Sequence, residues 1–183
     1  GPVIFPAPQN MSLKKEHFEL DTGTTILIPR NASERDLFLA RFLVKELSDK
    51  YGLALDIEHV SDLPSEKRFI LMGSTDNPLI KSYCNRYNLE VTEQDPGSEG
   101  YVLKVNKKNA VVAGSDNPGA FYGLQSLRQI IEKKEDETRI QGIFVRDWPN
   151  MPFRGIRLYI SERKNIPFFK RFIRDFMALY KFN

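Results

Sequence analysis

The residues able to do chemistry are few and far apart in this sequence. Gly114-Ser115-Asp116-Asn117-Pro118-Gly119 has the glycines of a phosphate cradle ahead of a helix, where backbone amides point outward. It matches neither the dinucleotide nor the Walker spacing, and Asp116 would repel an anion, so it reads as a structural turn. His17 and His59 lack a His-x-x-x-His or Cys-x-x-Cys partner, so no zinc site and no other metal or cofactor is expected. Cys84, the single cysteine, has no neighbouring His or basic cluster to make a thiolate, and an internal disulfide is excluded. Arg163, Lys164, Lys170, Arg171 and Arg174 alternate with phenylalanines as in a membrane-surface helix. Pro167 and the strand-like residues before it favour a βα unit with a solvated basic side instead. No Ser-His-Asp, Cys-His or close carboxylate pair can be assembled.

The elements that must carry these residues follow from periodicity and caps. Val3 to Asn10 holds two prolines, Pro6 and Pro8, and should run extended. Thr24 to Ile28 is a short β-branched strand. Ser33 then caps a helix from Glu34 to Lys50, with Leu37, Phe38, Ala40, Leu43, Val44 and Leu47 at helical spacing, ending at Tyr51-Gly52. Leu55 to Val60 and Phe69 to Met72 are strands, and Asn77-Pro78 opens a helix to Arg86. Gly100 to Val105 and Ala110 to Ala113 flank the polar turn Asn106 to Asn109 as a hairpin. Asn117-Pro118 repeats the cap of the earlier helix and starts one that should include Ala120, Phe121, Leu124, Leu127, Ile130 and Ile131. Arg139 to Val145 is another strand. The order β-α-β-β-α-β-β-α-β predicts an α/β (α+β) domain with a mixed sheet and packed helices over residues 1–150. Past Asp147-Trp148-Pro149 the character changes. Arg154 to Ile160 reads as a strand, and Pro167 opens a helix with Phe169, Phe172, Ile173, Phe176, Met177 and Tyr180 on one face.

With 183 residues, 41% hydrophobic and 28% charged, the chain can bury a core and is not disordered. The net charge of +3 comes from 27 basic and 24 acidic residues interspersed along the chain, which argues against a nucleic-acid partner. No apolar run approaches the ~20 residues of a membrane span, and no membrane partner is expected. The opening Gly1-Pro2 suggests a processed or engineered start, so the lack of a signal peptide carries no information.

Two stretches go beyond pattern. Ala113 to Ile130, with Asn117-Pro118-Gly119-Ala120-Phe121-Tyr122-Gly123-Leu124-Gln125 at its centre, and Asp147-Trp148-Pro149 followed by Pro152-Phe153-Arg154-Gly155, resemble glycoside hydrolase family 20, the β-N-acetylhexosaminidases. The resemblance is to the non-catalytic second domain of that family followed by the start of its catalytic barrel, and Phe5-Pro6-Ala7-Pro8-Gln9 is similar to the family's opening. It implies a zincin-like accessory domain without the zinc motif, and makes residues 151–183 the first strand and helix of a (β/α)8 barrel. A barrel needs about 250 residues, so it cannot close here, and the fragment should be inert. The family's catalytic Asp-Glu pair and its substrate-assisted chemistry would lie on later strands. The one substrate residue the resemblance carries over is Arg154, whose fork suits paired sugar hydroxyls in an intact barrel. Tyr159 and Glu162 stand where the family has Asp and Arg, which implies a different sugar or lost standard chemistry. Expected partners are a glycan substrate of the parent, the missing barrel in cis, and a second copy pairing through the exposed stub, unless the helix folds back onto its own domain. Family habit places the parent in the periplasm or outside the cell. The alternatives are a free-standing glycan-binding or protein-interaction module, or an accessory domain of a family 84 O-GlcNAcase or an α-glucuronidase.

Overall fold

An eight-stranded mixed sheet organises the chain, in a computed structural model that describes residues 3–183. Gly1 and Pro2 lie outside the described residues. The strands are β1 (Asn10–Glu19), β2 (Thr25–Pro29), β3 (Asp56–Val60), β4 (Phe69–Ser74), β5 (Tyr101–Val105), β6 (Asn109–Gly114), β7 (Ile131–Lys134) and β8 (Glu137–Asp147). Their spatial order is β1-β8-β5-β6-β4-β2-β3, with β7 paired to β8. β3, β2, β4 and β6 are parallel, and β5, β8, β1 and β7 join antiparallel.

Side-chain alternation along the strands divides the core into two layers. Ile26, Ile28, Ile70, Met72, Ala110 and Val112 face helices α1 (Glu34–Tyr51) and α3 (Asn117–Gln129), through Leu39, Leu43, Leu47, Leu124 and Leu127. Leu27, Leu71, Val111 and Ala113 face the other way, onto Leu79, Ile80 and Tyr83 of α2 (Pro78–Arg86). The two large helices are also joined by Arg128, whose Nη2 meets Glu46 Oε1 at 2.9 Å while the guanidinium lies 5.0 Å from the Phe42 ring centre.

The caps follow the sequence with one change. Ser33 and Asp36 form a reciprocal capping box on α1, and Gly52, at φ 67°, ends it in the left-handed region. Asn77 caps α2 through the Leu79 and Ile80 amides. For α3, however, the cap is Asp116 rather than Asn117, which is already helical. The expected inclusion of Ile130 and Ile131 in α3 also fails. The helix stops at Gln129, and Ile131 begins β7, whose Glu132 pairs with Arg139 on β8.

β1 had no counterpart in the sequence reading. It is an edge strand of mostly exposed residues, with Phe18 as its one fully buried side chain and a bulge between Leu13 and His17. Lysines and bulges at such an edge discourage pairing with another chain.

The expected strand over Arg154–Ile160 is not formed. That stretch has irregular backbone and no strand partner, with Tyr159 82% exposed. A strand needs hydrogen bonds from a neighbour, and none is offered here. One 3-10 turn (Arg163–Asn165), helix α4 (Ile166–Phe172) and a π-helical turn (Ile173–Met177) follow. The rings of Phe168, Phe172 and Phe176 stack in succession along this helix, and Tyr180 meets both Phe176 and Phe5 edge-on, the latter at 5.4 Å. The tail therefore returns to its own domain.

Candidate functional site

Three helices begin at the carboxyl end of the parallel strands, the usual place for ligands in an open α/β sheet. Each start is already satisfied. Ser33 with Asp36, Asn77, and Asp116 supply the acceptors, and Asp36 Oδ1 takes a further bond from Asn77 Nδ2 at 2.8 Å. Asp116 spends one carboxylate oxygen on the Gly119 amide at 2.7 Å and the other on the Glu99 amide at 2.8 Å. The loop Gly114 to Gly119 is thus a capped turn, and its glycines have packing reasons. A Cβ on Gly119 would run into the Gly100 carbonyl oxygen.

The other sequence candidates are dispersed. His17 sits on β1 and His59 on β3, the two ends of the strand order, so they cannot share a metal. Cys84 is half-buried on α2, and burial pushes its thiol up to about 11. Arg163, Lys164, Lys170, Arg171 and Arg174 are all exposed, with Lys164 paired to Glu162 and Arg174 to Asp175.

Charge and shape converge where the C-terminal tail meets the sheet. A cavity of about 250 Å3 is lined there by Glu99, Tyr122, Trp148, Met151, Arg154 and Lys181 among others. Its floor comes from the register of β5 and β8, which sets Tyr101 opposite Asp147. The Tyr101 hydroxyl lies 2.6 Å from Ser126 Oγ of α3 and donates to Asp147 Oδ2 at 2.9 Å. Lys181 reaches in from the tail, donating to the same carboxylate oxygen and to the Tyr101 oxygen at 2.9 Å each. Asp147 Oδ1 accepts the Gln9 amide at 3.1 Å, so the N-terminal segment is held as well. Burial pulls the Lys181 ammonium down from its ordinary value while Asp147 opposes it. Burial and then the Asp147 charge push the Tyr101 hydroxyl well up.

Arg154 forms the other wall. Its Nη1 and Nη2 each donate to one Glu99 carboxylate oxygen at 3.2 Å, a bidentate pair. Nε donates to the Lys181 carbonyl at 2.7 Å, Nη1 also to the Met151 carbonyl at 2.6 Å, and the Tyr122 ring centre lies 5.4 Å from the guanidinium carbon. Glu99 further accepts from Asn183 Nδ2 at 3.2 Å. Burial would raise the Glu99 carboxyl, but the bonds from Arg154 and Asn183 outweigh it and hold it below the ordinary range.

The family resemblance singled out Arg154, which lines this cavity, and the sequence did not point to its partner. Glu99 sits in Asp95-Pro96-Gly97-Ser98-Glu99-Gly100, a turn signal ahead of a strand, with φ 58°. A charged residue in such a turn reads as solvated, and only the return of the tail makes it a partner. Lys181 was hidden for the same reason.

Comparison with known proteins places this architecture. The model of a family described as glycosyl hydrolase family 20, domain 2, matches residues 1–148. A β-hexosaminidase of Porphyromonas gingivalis is 26% identical over 191 residues, covering 100% of this chain and 22% of that protein. A β-hexosaminidase of Vibrio vulnificus is 35% identical over 89 residues, 47% of this chain and 10% of that protein. This chain therefore spans about a fifth or less of these curated relatives. Among solved structures, the family 20 β-N-acetylhexosaminidase of Streptomyces coelicolor A3(2) superposes with a TM-score of 0.69 at 20% identity, covering 100% of this chain and 34% of that one. CpGH84B gives the same score and identity over 100% of this chain and 29% of its own, so the fold extends beyond one family.

Proposed function

This chain belongs to glycosyl hydrolase family 20, domain 2, and from that premise we propose that it serves a longer glycosidase acting on N-acetylhexosaminides, as the accessory domain that seats the start of the catalytic domain. The observation that carries this is a juxtaposition. The family match ends at Trp148, and within six residues Arg154 is anchored back on the domain by Glu99. Asp147, the last residue of β8, holds the tail a second time through Lys181. Residues 151–183 would be the first segment of the barrel, with Arg154 donating to sugar hydroxyls once later strands complete the site. The parent would work in the periplasm or outside the cell on a glycan. The family match and the named relatives favour this over a free-standing binding module.

The test compares the 183-residue chain with the longer polypeptide from the same reading frame on a chromogenic N-acetyl-β-glucosaminide. The short chain should give no turnover and the long one steady turnover. Turnover by the short chain, or a folded long chain inert toward every N-acetylhexosaminide, refutes the proposal.

A further inference from the structure

We infer that Glu99, a residue of the accessory domain, is a positioning residue for Arg154 in the complete enzyme. The inference rests on the reading just given, in which Arg154 meets the sugar. A guanidinium has five N–H donors in one plane. Four are engaged here, two by Glu99 and one each by the Lys181 and Met151 carbonyls. One donor on Nη2 is left, and the residue lines the cavity beside Trp148 and Tyr122. The bidentate carboxylate fixes the plane of the group, and the Tyr122 ring 5.4 Å away limits its tilt. An arginine so held loses little freedom when it takes up an oxygen ligand.

Glu99 is itself well fixed. Its amide is bonded to Asp116, the cap of α3, and the Gly100 carbonyl beside it accepts the Ser115 amide at 2.9 Å. The loop is therefore tied to the rigid start of α3 and to β5 rather than swinging free. Its backbone holds φ 58°, a conformation that costs a non-glycine residue and that surrounding structure must enforce. A carboxylate one methylene shorter, or an amide, could not reproduce the pair from this anchor point.

The experiment uses the longer polypeptide, with Glu99→Gln and Glu99→Asp compared with wild type on the chromogenic N-acetyl-β-glucosaminide. Glu99→Gln removes the charge and one of the two acceptors, and KM should rise roughly tenfold with kcat within about twofold, at a melting temperature within about 3 °C of wild type. Glu99→Asp keeps the charge at shorter reach and should recover part of the loss. Equal KM for wild type and Glu99→Gln overturns the positioning role while leaving the functional reading in place. A parallel fall in kcat and melting temperature also overturns it, because that is the signature of a merely structural contact. An inert wild-type polypeptide overturns the functional reading, and this inference with it.

Discussion

Replacing Asp147 with Ala tests the junction at its most buried point. The side chains of Asp147 and Lys181 are each 9% exposed, so the substitution leaves an ammonium with no counter-ion. It also strips one acceptor from the Tyr101 hydroxyl and the acceptor from the Gln9 backbone amide. Breaking one partner of a buried pair costs about 3–5 kcal/mol if the charge stays buried. The chain has a second route, because Lys181 belongs to the tail and can leave with it. The cost is then the docking energy of the tail plus about 1 kcal/mol for each lost hydrogen bond. Removing the cation instead, by Lys181→Met, leaves the Asp147 carboxylate without its counter-ion but with Tyr101 and Gln9 still donating, and should cost about 2–3 kcal/mol, less than Asp147→Ala. On either route the double variant recovers stability, because the stranded charge is gone and the tail can stay down. Urea unfolding of the four proteins should give a coupling of about 2 kcal/mol, well above the ~0.5 kcal/mol scatter of independent sites. Additive effects within that scatter would show that the pair is not made.

Three further outcomes follow from the geometry. Lowering the pH should release the tail: the Glu99 carboxyl lies below its ordinary value in the fold, so its contribution is complete above about pH 4.3 and is lost as pH falls through the depressed value. Trp148, the single tryptophan, lines the cavity and should report this in fluorescence, and a Glu99→Gln variant with the same acid midpoint would refute the assignment. Gly119→Ala should cost about 2–4 kcal/mol, since the new methyl meets a backbone carbonyl engaged by Ser115, whereas Gly52→Ala, with open space around it, should cost only about 1 kcal/mol for its left-handed backbone; equal melting temperatures would contradict this. Cys84, with its thiol at about 11, should be alkylated at pH 8 on the order of a hundredfold more slowly than a free cysteine, and a rate equal to that of glutathione would count against the packing.

Most of the α/β half could be read from sequence because its signals are local. Ser33 three residues before Asp36, and Asn77 beside Pro78, each name a helix start through bonds made within four residues. The third cap went to Asp116 rather than Asn117 because Asp116 also has a distant obligation, to the Glu99 amide, that sequence spacing does not contain. β1 escaped because a one-sided edge strand buries little. Asn10 to Glu19 carries four charged residues and one fully buried side chain, and no alternation survives its bulge. β7 escaped because Ile130 and Ile131 continue the apolar spacing of α3, and the chain reverses at Glu135, a non-glycine residue at φ 55°. The cluster around the cavity was the least legible part. Glu99, Asp147 and Lys181 are separated by 48 and 34 residues, so their meeting depends on the β5–β8 register and on the return of the tail.

The failed strand at Arg154–Ile160 separates propensity from structure. Ile156, Leu158, Tyr159 and Ile160 are good strand residues, yet a strand is a relation between two backbones and no sheet edge is offered to this one. The outer edges of the sheet are β1, turned aside by its bulge, the short, partly exposed β3, and β7, which pairs only with β8. The tail instead lies near α3 and the N-terminal segment, where Gln129 Nε2 donates to both the Phe5 and Leu179 carbonyls. Its fixed points are therefore side-chain contacts to residues of the domain, at Glu99, Asp147 and Gln129, rather than a backbone ladder. Such contacts hold the two ends of the tail while leaving the backbone from Gly155 to Ile160 free to pair. If the proposed function is right, the domain supplies anchors without using the strand, and the ladder of Arg154–Ile160 is reserved for a catalytic domain. Amide exchange should then be fast over Gly155–Ile160 in the 183-residue chain and slow in the longer polypeptide, while β4 and β6 exchange slowly in both. Equally fast exchange over Gly155–Ile160 in a folded longer polypeptide would mean that the segment is a linker.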